Sequence, residues 1–212
     1  MKKRHIAYCA LLMVVVLGAC DRKPKRVGVP THTLNWTGSD VARVMIGPID
    51  GGEPGSSPNE RPLGHNEVPP IGFQAESCCA DLPFEWHPNL QTTVRWSRDS
   101  MPFNEQDRTG YEWLTATVKI PPWQRGGGDL MVVILPDDKI KVIVAEPGIN
   151  WDVLKVRPPE NDPYVAKGTV MLDLTRSIMS HETWAAYKRK HNLPADIDAR
   201  LDKAASAPAE AP

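Results

Sequence analysis

The chain has only four cysteines in 212 residues and no apolar run long enough to cross a bilayer. A spanning helix takes roughly 20 apolar residues. The most apolar stretch, Ile6 to Leu17, is shorter and is interrupted by Tyr8 and Cys9. Catalytic signatures are missing as well. No Gly-x-Ser-x-Gly elbow is present, and Gly55-Ser56-Ser57 sits in a proline-rich stretch with no strand before it. His181-Glu182 has no second histidine four residues after the first, so no zincin motif exists. The run Gly126 to Gly128 lacks the Lys-Ser/Thr of a phosphate loop. The acidic pair Asp137-Asp138 falls in a turn, where carboxylates are solvated. No basic stripe interleaves with aromatics, which argues against a nucleic-acid partner. There is no internal repeat. These absences point away from an enzyme: the expectation is no catalytic residues, no cofactor and no metal.

The amino terminus carries the most specific signal. Lys2, Lys3 and Arg4 precede the apolar run, which ends in Leu17-Gly18-Ala19-Cys20. A positive start, a short apolar core and small residues before a cut describe a secretory leader. Leu-Gly-Ala-Cys resembles the lipobox of bacterial lipoproteins. That resemblance implies a leader over 1–19, lipidation of Cys20 with diacylglycerol and palmitate-like chains, and stable membrane anchoring, since several chains hold where one does not. It implies the periplasmic face of the inner or outer membrane. Asp21 favours inner-membrane retention in enteric bacteria, and other hosts sort differently.

Removing the leader takes three of the 25 basic residues and no acidic ones, leaving 22 against 26 and a formal charge of −4. Arg22, Lys23, Lys25 and Arg26 follow the anchor, and residues 20–30 read as a lipidated tether with some attraction to headgroups. The remaining length suits one modest domain.

Proline is abundant, 21 residues spread along the chain, which argues for strands joined by irregular loops. Asp40 to Ile46 reads as a strand. Gly47 to Gly72 is dense in Gly and Pro and reads as a long loop of the kind that carries function. Leu82 to Pro88 reads as a turn. Leu90 to Trp96 alternates apolar and polar positions, as does Tyr111 to Ile120, so both read as half-buried strands. Leu130 to Leu135 is wholly apolar and reads as a central strand. With Pro136-Asp137-Asp138-Lys139 and Ile140 to Ala145 it forms a β-hairpin. Ser180 is placed to cap a helix containing Trp184 and Tyr187, and a second short helix is expected from Asp196 to Ala204. The predicted fold is mainly β, an antiparallel sandwich or partly open barrel of about seven strands with one or two C-terminal helices. Its parts are a β domain over 31–157, a helical C-terminal segment over 158–206 and a disordered tail over 207–212.

Cys9 leaves with the leader, so Cys78 and Cys79 are the pair left beside the lipidated Cys20. Adjacent thiols in an oxidising compartment can close on each other as a disulfide or remain paired thiols. They can also bond a partner's cysteine, or ligate metal with His65 or His87. Trp86, Trp96, Trp113 and Trp123 lie in or beside predicted strands and are expected in the core. Trp36 and Trp151 lie outside the firm strands and are candidate partner-binding anchors.

From Cys78 to Trp96 the sequence reads Cys-Cys, Leu82-Pro83, Trp86-x-Pro88, Leu90 and Val94-Arg95-Trp96. Downstream come a strand ending in Pro121-Pro122 and the hairpin that opens at Gly128-Asp129-Leu130. This pattern resembles a family of bacterial lipoproteins built on one domain of unknown function, over roughly residues 31–150. The upstream loop here is richer in proline than in glycine, and nothing after Pro158 matches. Members are often encoded beside type VI secretion effectors of the phospholipase class. The resemblance therefore implies an immunity protein that binds and neutralises such an effector in the periplasm. The rival expectation is a structural envelope lipoprotein with no toxin partner.

Overall fold

A computed structural model describes residues 25–72, 75–104, 106–146, 156–159 and 161–206. The leader, Cys20 and Trp151 lie outside the described residues.

Two sheets face each other across one apolar layer. The period-two pattern generates the first. In β6 (Gln91–Asp99), Thr92, Val94 and Trp96 are buried while Gln91, Thr93 and Arg95 face water. In β7 (Tyr111–Lys119), Leu114, Ala116 and Val118 point inward, and Leu90 and Ile120 extend the two rows beyond the strand ends. β6 and β7 pair antiparallel from Gln91 opposite Lys119 to Asp99 opposite Tyr111. β2 (Asp40–Ile46) joins β6, and the short β3 (Gly55–Ser57) joins β2.

The second sheet is built on β1 (Arg26–Asn35), β8 (Asp129–Leu135) and β9 (Lys139–Ala145). β8 lies between β1 and β9, which is why its sequence is apolar without alternation. Leu130, Val132 and Ile134 enter the layer between the sheets. Met131, Val133 and Leu135 join a second buried cluster with Leu34 on the opposite face. Asp137 and Asp138 close the β8–β9 turn with φ near +60°, a conformation short acidic side chains tolerate. β4 (Ile71–Gly72) and β5 (Ser77–Pro83) both pair with β1.

Several expectations are corrected. The first strand begins at Arg26, so residues 26–30, read as tether, belong to the sheet. β1 and β8 run parallel, so the second sheet is antiparallel except for that pair. The described residues form eleven strands rather than about seven, and neither sheet closes into a barrel. The stretch beginning at Leu82, read as a turn, starts as the end of β5, because Val27 opposite Leu82 and Arg26 opposite Pro83 extend its ladder. The segment after residue 158 is not wholly helical: β10 (Val165–Lys167) adds to β9 and β11 (Thr169–Val170) adds to β7.

Three helices follow: α1 (Leu172–Ser177), α2 (His181–Lys190) and α3 (Ile197–Ser206). Ser180 caps α2 by accepting from the Thr183 N–H at 3.1 Å. Trp184, Tyr187 and Ile197 form a small core of their own with Leu172, Met179, Leu193 and Leu201. This unit docks on β7, where Trp113 N–H donates to the Thr175 hydroxyl at 3.0 Å.

Candidate functional site

The register sets two ends of the sandwich apart. Beside Arg26, where β1 starts, lie Lys25, Phe84 and residues 124–126: Phe84 N–H donates to the Lys25 carbonyl at 2.7 Å, and Gly126 N–H donates to the Phe84 carbonyl at 2.9 Å. At the other end, beside Asn35, lie the β8–β9 turn, the start of β7 and the loop after Asp99. Trp36 N–H donates to the Ile134 carbonyl at 2.9 Å, and Arg98 donates to Asp138. The ten residues of β1 separate these ends by about 33 Å at strand rise.

The Gly47–Gly72 segment runs from the first end to the second. Gly47 N–H is bonded to the Thr93 carbonyl, and Leu63 N–H to the Thr37 carbonyl. It carries little regular structure beyond β3, β4 and the bridge between Val41 and Glu60. It is nevertheless held from beneath. On β1 three polar side chains replace the apolar row that a sandwich strand would carry. Thr31 donates to the Ser56 carbonyl at 2.5 Å, Thr33 to the Pro58 carbonyl at 2.6 Å, and Asn35 to the Arg61 carbonyl at 2.9 Å. All three are buried. Each therefore satisfies a loop carbonyl that a valine at its place would strand away from water.

At its far end the segment is clasped by Arg61 and Glu67. Glu67 also accepts from the Gly64 N–H at 2.7 Å. The Arg61 hydrogen bond first, and that N–H second, hold the Glu67 carboxyl down at about 2. Next to the clasp Val68 stands 85 % exposed. At the same end, the loop after β6 carries Phe103, 79 % exposed. That loop is braced by Ser100 N–H donating to the Gly110 carbonyl at 3.0 Å and by Lys190 donating to Thr109 at 3.0 Å. Beneath it, the buried Glu112 accepts from Arg98 at 2.7 Å and from Tyr187 at 2.7 Å. Burial first, and Glu112 second, raise the Tyr187 phenol well above its ordinary value.

Cys78 and Cys79 are joined to each other by a disulfide. Both are exposed, on the wall of a groove of about 770 Å3 lined also by Met45, Pro48, Pro54 and Arg95. β3 lies directly against this part of β5: a Cβ on Gly55 would sit 3.1 Å from the Cys79 carbonyl oxygen. His87 lies at the Arg26 end, 3.3 Å from Asp50. No group of three or more metal-capable side chains occurs among the described residues.

Trp36, a candidate partner-binding anchor, is partly buried: it packs against the cluster of Leu34, Met131, Val133 and Leu135, and its indole nitrogen is buried. Trp96, Trp113 and Trp123 are core residues, and Trp86 packs partly buried against the core. Sequence reading missed Val68 and Phe103. A single apolar residue in a polar loop carries no periodicity, so no sequence signal separates it from a buried one.

Residues 34–142, half of the chain, match the family described as "Protein of unknown function (DUF3304)". No curated protein and no solved structure matches the chain.

Proposed function

Because the chain belongs to the DUF3304 family of proteins of unknown function, we propose its role from its own features: a lipid-anchored periplasmic immunity protein. It binds a type VI secretion effector, of the phospholipase class, and blocks it stoichiometrically. The observation that carries this reading is that the two most exposed large apolar side chains among the described residues, Val68 and Phe103, sit on braced loops at the end of the sandwich away from Arg26. Isolated exposed residues of this size are common on surfaces. Two of them on hydrogen-bonded loops at one end, however, suit anchors that lose little entropy on binding.

The lipobox-like Leu17-Gly18-Ala19-Cys20 supports the anchor, and the exposed disulfide at Cys78–Cys79 suits an oxidising compartment. The resemblance to effector-linked lipoproteins supports the choice of partner. Anchoring gives the mechanism its physical sense. An effector that attacks lipids must approach the surface to which its inhibitor is confined, where the effective concentration is high.

The test is co-elution of the mature chain with the product of the adjacent gene, together with an assay of that product's lipase activity. A one-to-one complex that silences the lipase is the expected result. No complex at micromolar concentration would move the weight to a structural envelope lipoprotein.

A further inference from the structure

We infer that the sandwich stands upright on the membrane, with the end formed by Lys25, Phe84 and Arg125 resting on the anionic headgroup surface. This rests on the lipid anchor at Cys20 proposed above.

The argument begins with reach. Asp21 to Lys25 separate Cys20 from the first residue of β1. Five residues span at most about 18 Å when fully extended. The sandwich is longer than that, about 33 Å along β1. The Arg26 end is therefore held at the bilayer, and the Phe103 end is held away from it unless the domain lies flat.

The chemistry of the near end fits an interface. The Phe84 ring has two cation–π neighbours, the Lys25 ammonium 4.0 Å from its centroid and the Arg125 guanidinium 5.3 Å from it. An aromatic ring with two long cationic chains suits the headgroup layer, where apolar stems sink and charges remain hydrated. Trp86 lies two residues on, partly buried, with its indole N–H bonded to the Ile120 carbonyl at 3.1 Å.

Three acidic side chains at this end are paired with cations. Glu85 is paired with Arg125 at 2.9 Å, and Arg26 binds Asp81 at 2.6 Å and approaches Asp50 at 3.9 Å. Lys25 has no carboxylate partner among the described residues and is exposed. In the sequence between Cys20 and Lys25, Arg22 and Lys23 add two cations and Asp21 one anion, so that stretch is positive although the mature chain is net acidic.

The test uses the intact acylated protein, purified from membranes and reconstituted into vesicles of phosphatidylcholine with phosphatidylglycerol. Hydroxyl-radical footprinting read by mass spectrometry compares Phe84, Trp86 and Phe103 on vesicles and in detergent. The expected result is a several-fold drop in oxidation of Phe84 on vesicles with Phe103 unchanged, and loss of that protection in the Lys25→Glu, Arg125→Glu double variant. Protection at Phe103, or equal oxidation of Phe84 in both settings while intact mass shows acylated Cys20, overturns the orientation and leaves the anchor standing. Protection that survives the double variant overturns the role of the two cations. An unacylated Cys20 overturns the anchor and this inference with it.

Discussion

The side-chain amide of Asn35 donates to the carbonyl of Arg61, 2.9 Å away, and to that of Ser39 at 2.8 Å, while its own carbonyl accepts from the Thr37 N–H at 2.9 Å. One buried side chain thus ties the end of β1 to the turn that follows it and to the long Gly/Pro-rich segment.

Replacing Asn35 by Ala strands these groups in a buried place. A cost of about 2–3 kcal/mol is expected, because the unsatisfied carbonyls lose their desolvation compensation. Urea unfolding measures it. Limited proteolysis should show cleavage appearing first between residues 58 and 70, since the loop is held chiefly by this ladder of side chains.

The Arg61–Glu67 clasp gives a pH prediction. Because the carboxyl is lowered in the folded protein, its contribution to holding the loop is complete above the ordinary value of 4.5 and is lost as pH falls through about 2. Carboxyl NMR of Glu67 should show a midpoint near 2 in the native protein, and in Arg61→Ala the midpoint should return toward the ordinary value. A normal midpoint in the unaltered chain would show that the clasp does not persist in solution.

Tyr187 and Glu112 link the helical unit to the sheet. Tyr187→Phe removes one donor and leaves Arg98 on the carboxylate, so a loss of about 1–2 kcal/mol is expected. For a chain of this size that is roughly 2–8 °C in Tm. Ultraviolet titration should find one tyrosine in the unaltered protein that ionises later than the others, and that signal should vanish in the variant.

Val68 and Phe103 test the proposed partner face. Phe103→Ala and Val68→Asp should each leave Tm within the scatter of surface changes, about 0.5 kcal/mol. If the face is the one an effector engages, Phe103→Ala should weaken binding by about 30-fold, the effect of losing an anchor worth about 2 kcal/mol. Unchanged affinity in both variants would exclude this end as the contact surface.

The Cys78–Cys79 disulfide closes the shortest loop two cysteines can make, so it removes little freedom from the unfolded chain. A dithiol reductant should convert it to two thiols without unfolding the domain, lowering Tm far less than loss of a long-range disulfide, worth about 3 kcal/mol for a 15-residue loop. Alkylation counts the thiols and a thermal melt reads the stability. A large drop in Tm on reduction would assign the bond a structural weight that its position does not predict.

Local pattern was legible where one face of a strand is wet. The alternation of Thr92, Val94 and Trp96 against Gln91, Thr93 and Arg95, the unbroken run of β8, the Asp137-Asp138 turn and the Ser180 cap could each be read from neighbouring residues alone, because each depends on local geometry and on which side meets water. The sequence by itself therefore determined a mainly β chain with a helical end. It did not determine the parallel pairing of β1 with β8, since two strands separated by almost a hundred residues leave no local mark of their direction. It did not reveal that β1 starts at Arg26, because a polar, charged stretch reads as tether until a partner strand satisfies its backbone. Nor did it reveal that Thr31, Thr33 and Asn35 face inward to hold a loop. Buried polar residues look like surface residues until the carbonyls they bind are brought to them by the rest of the fold.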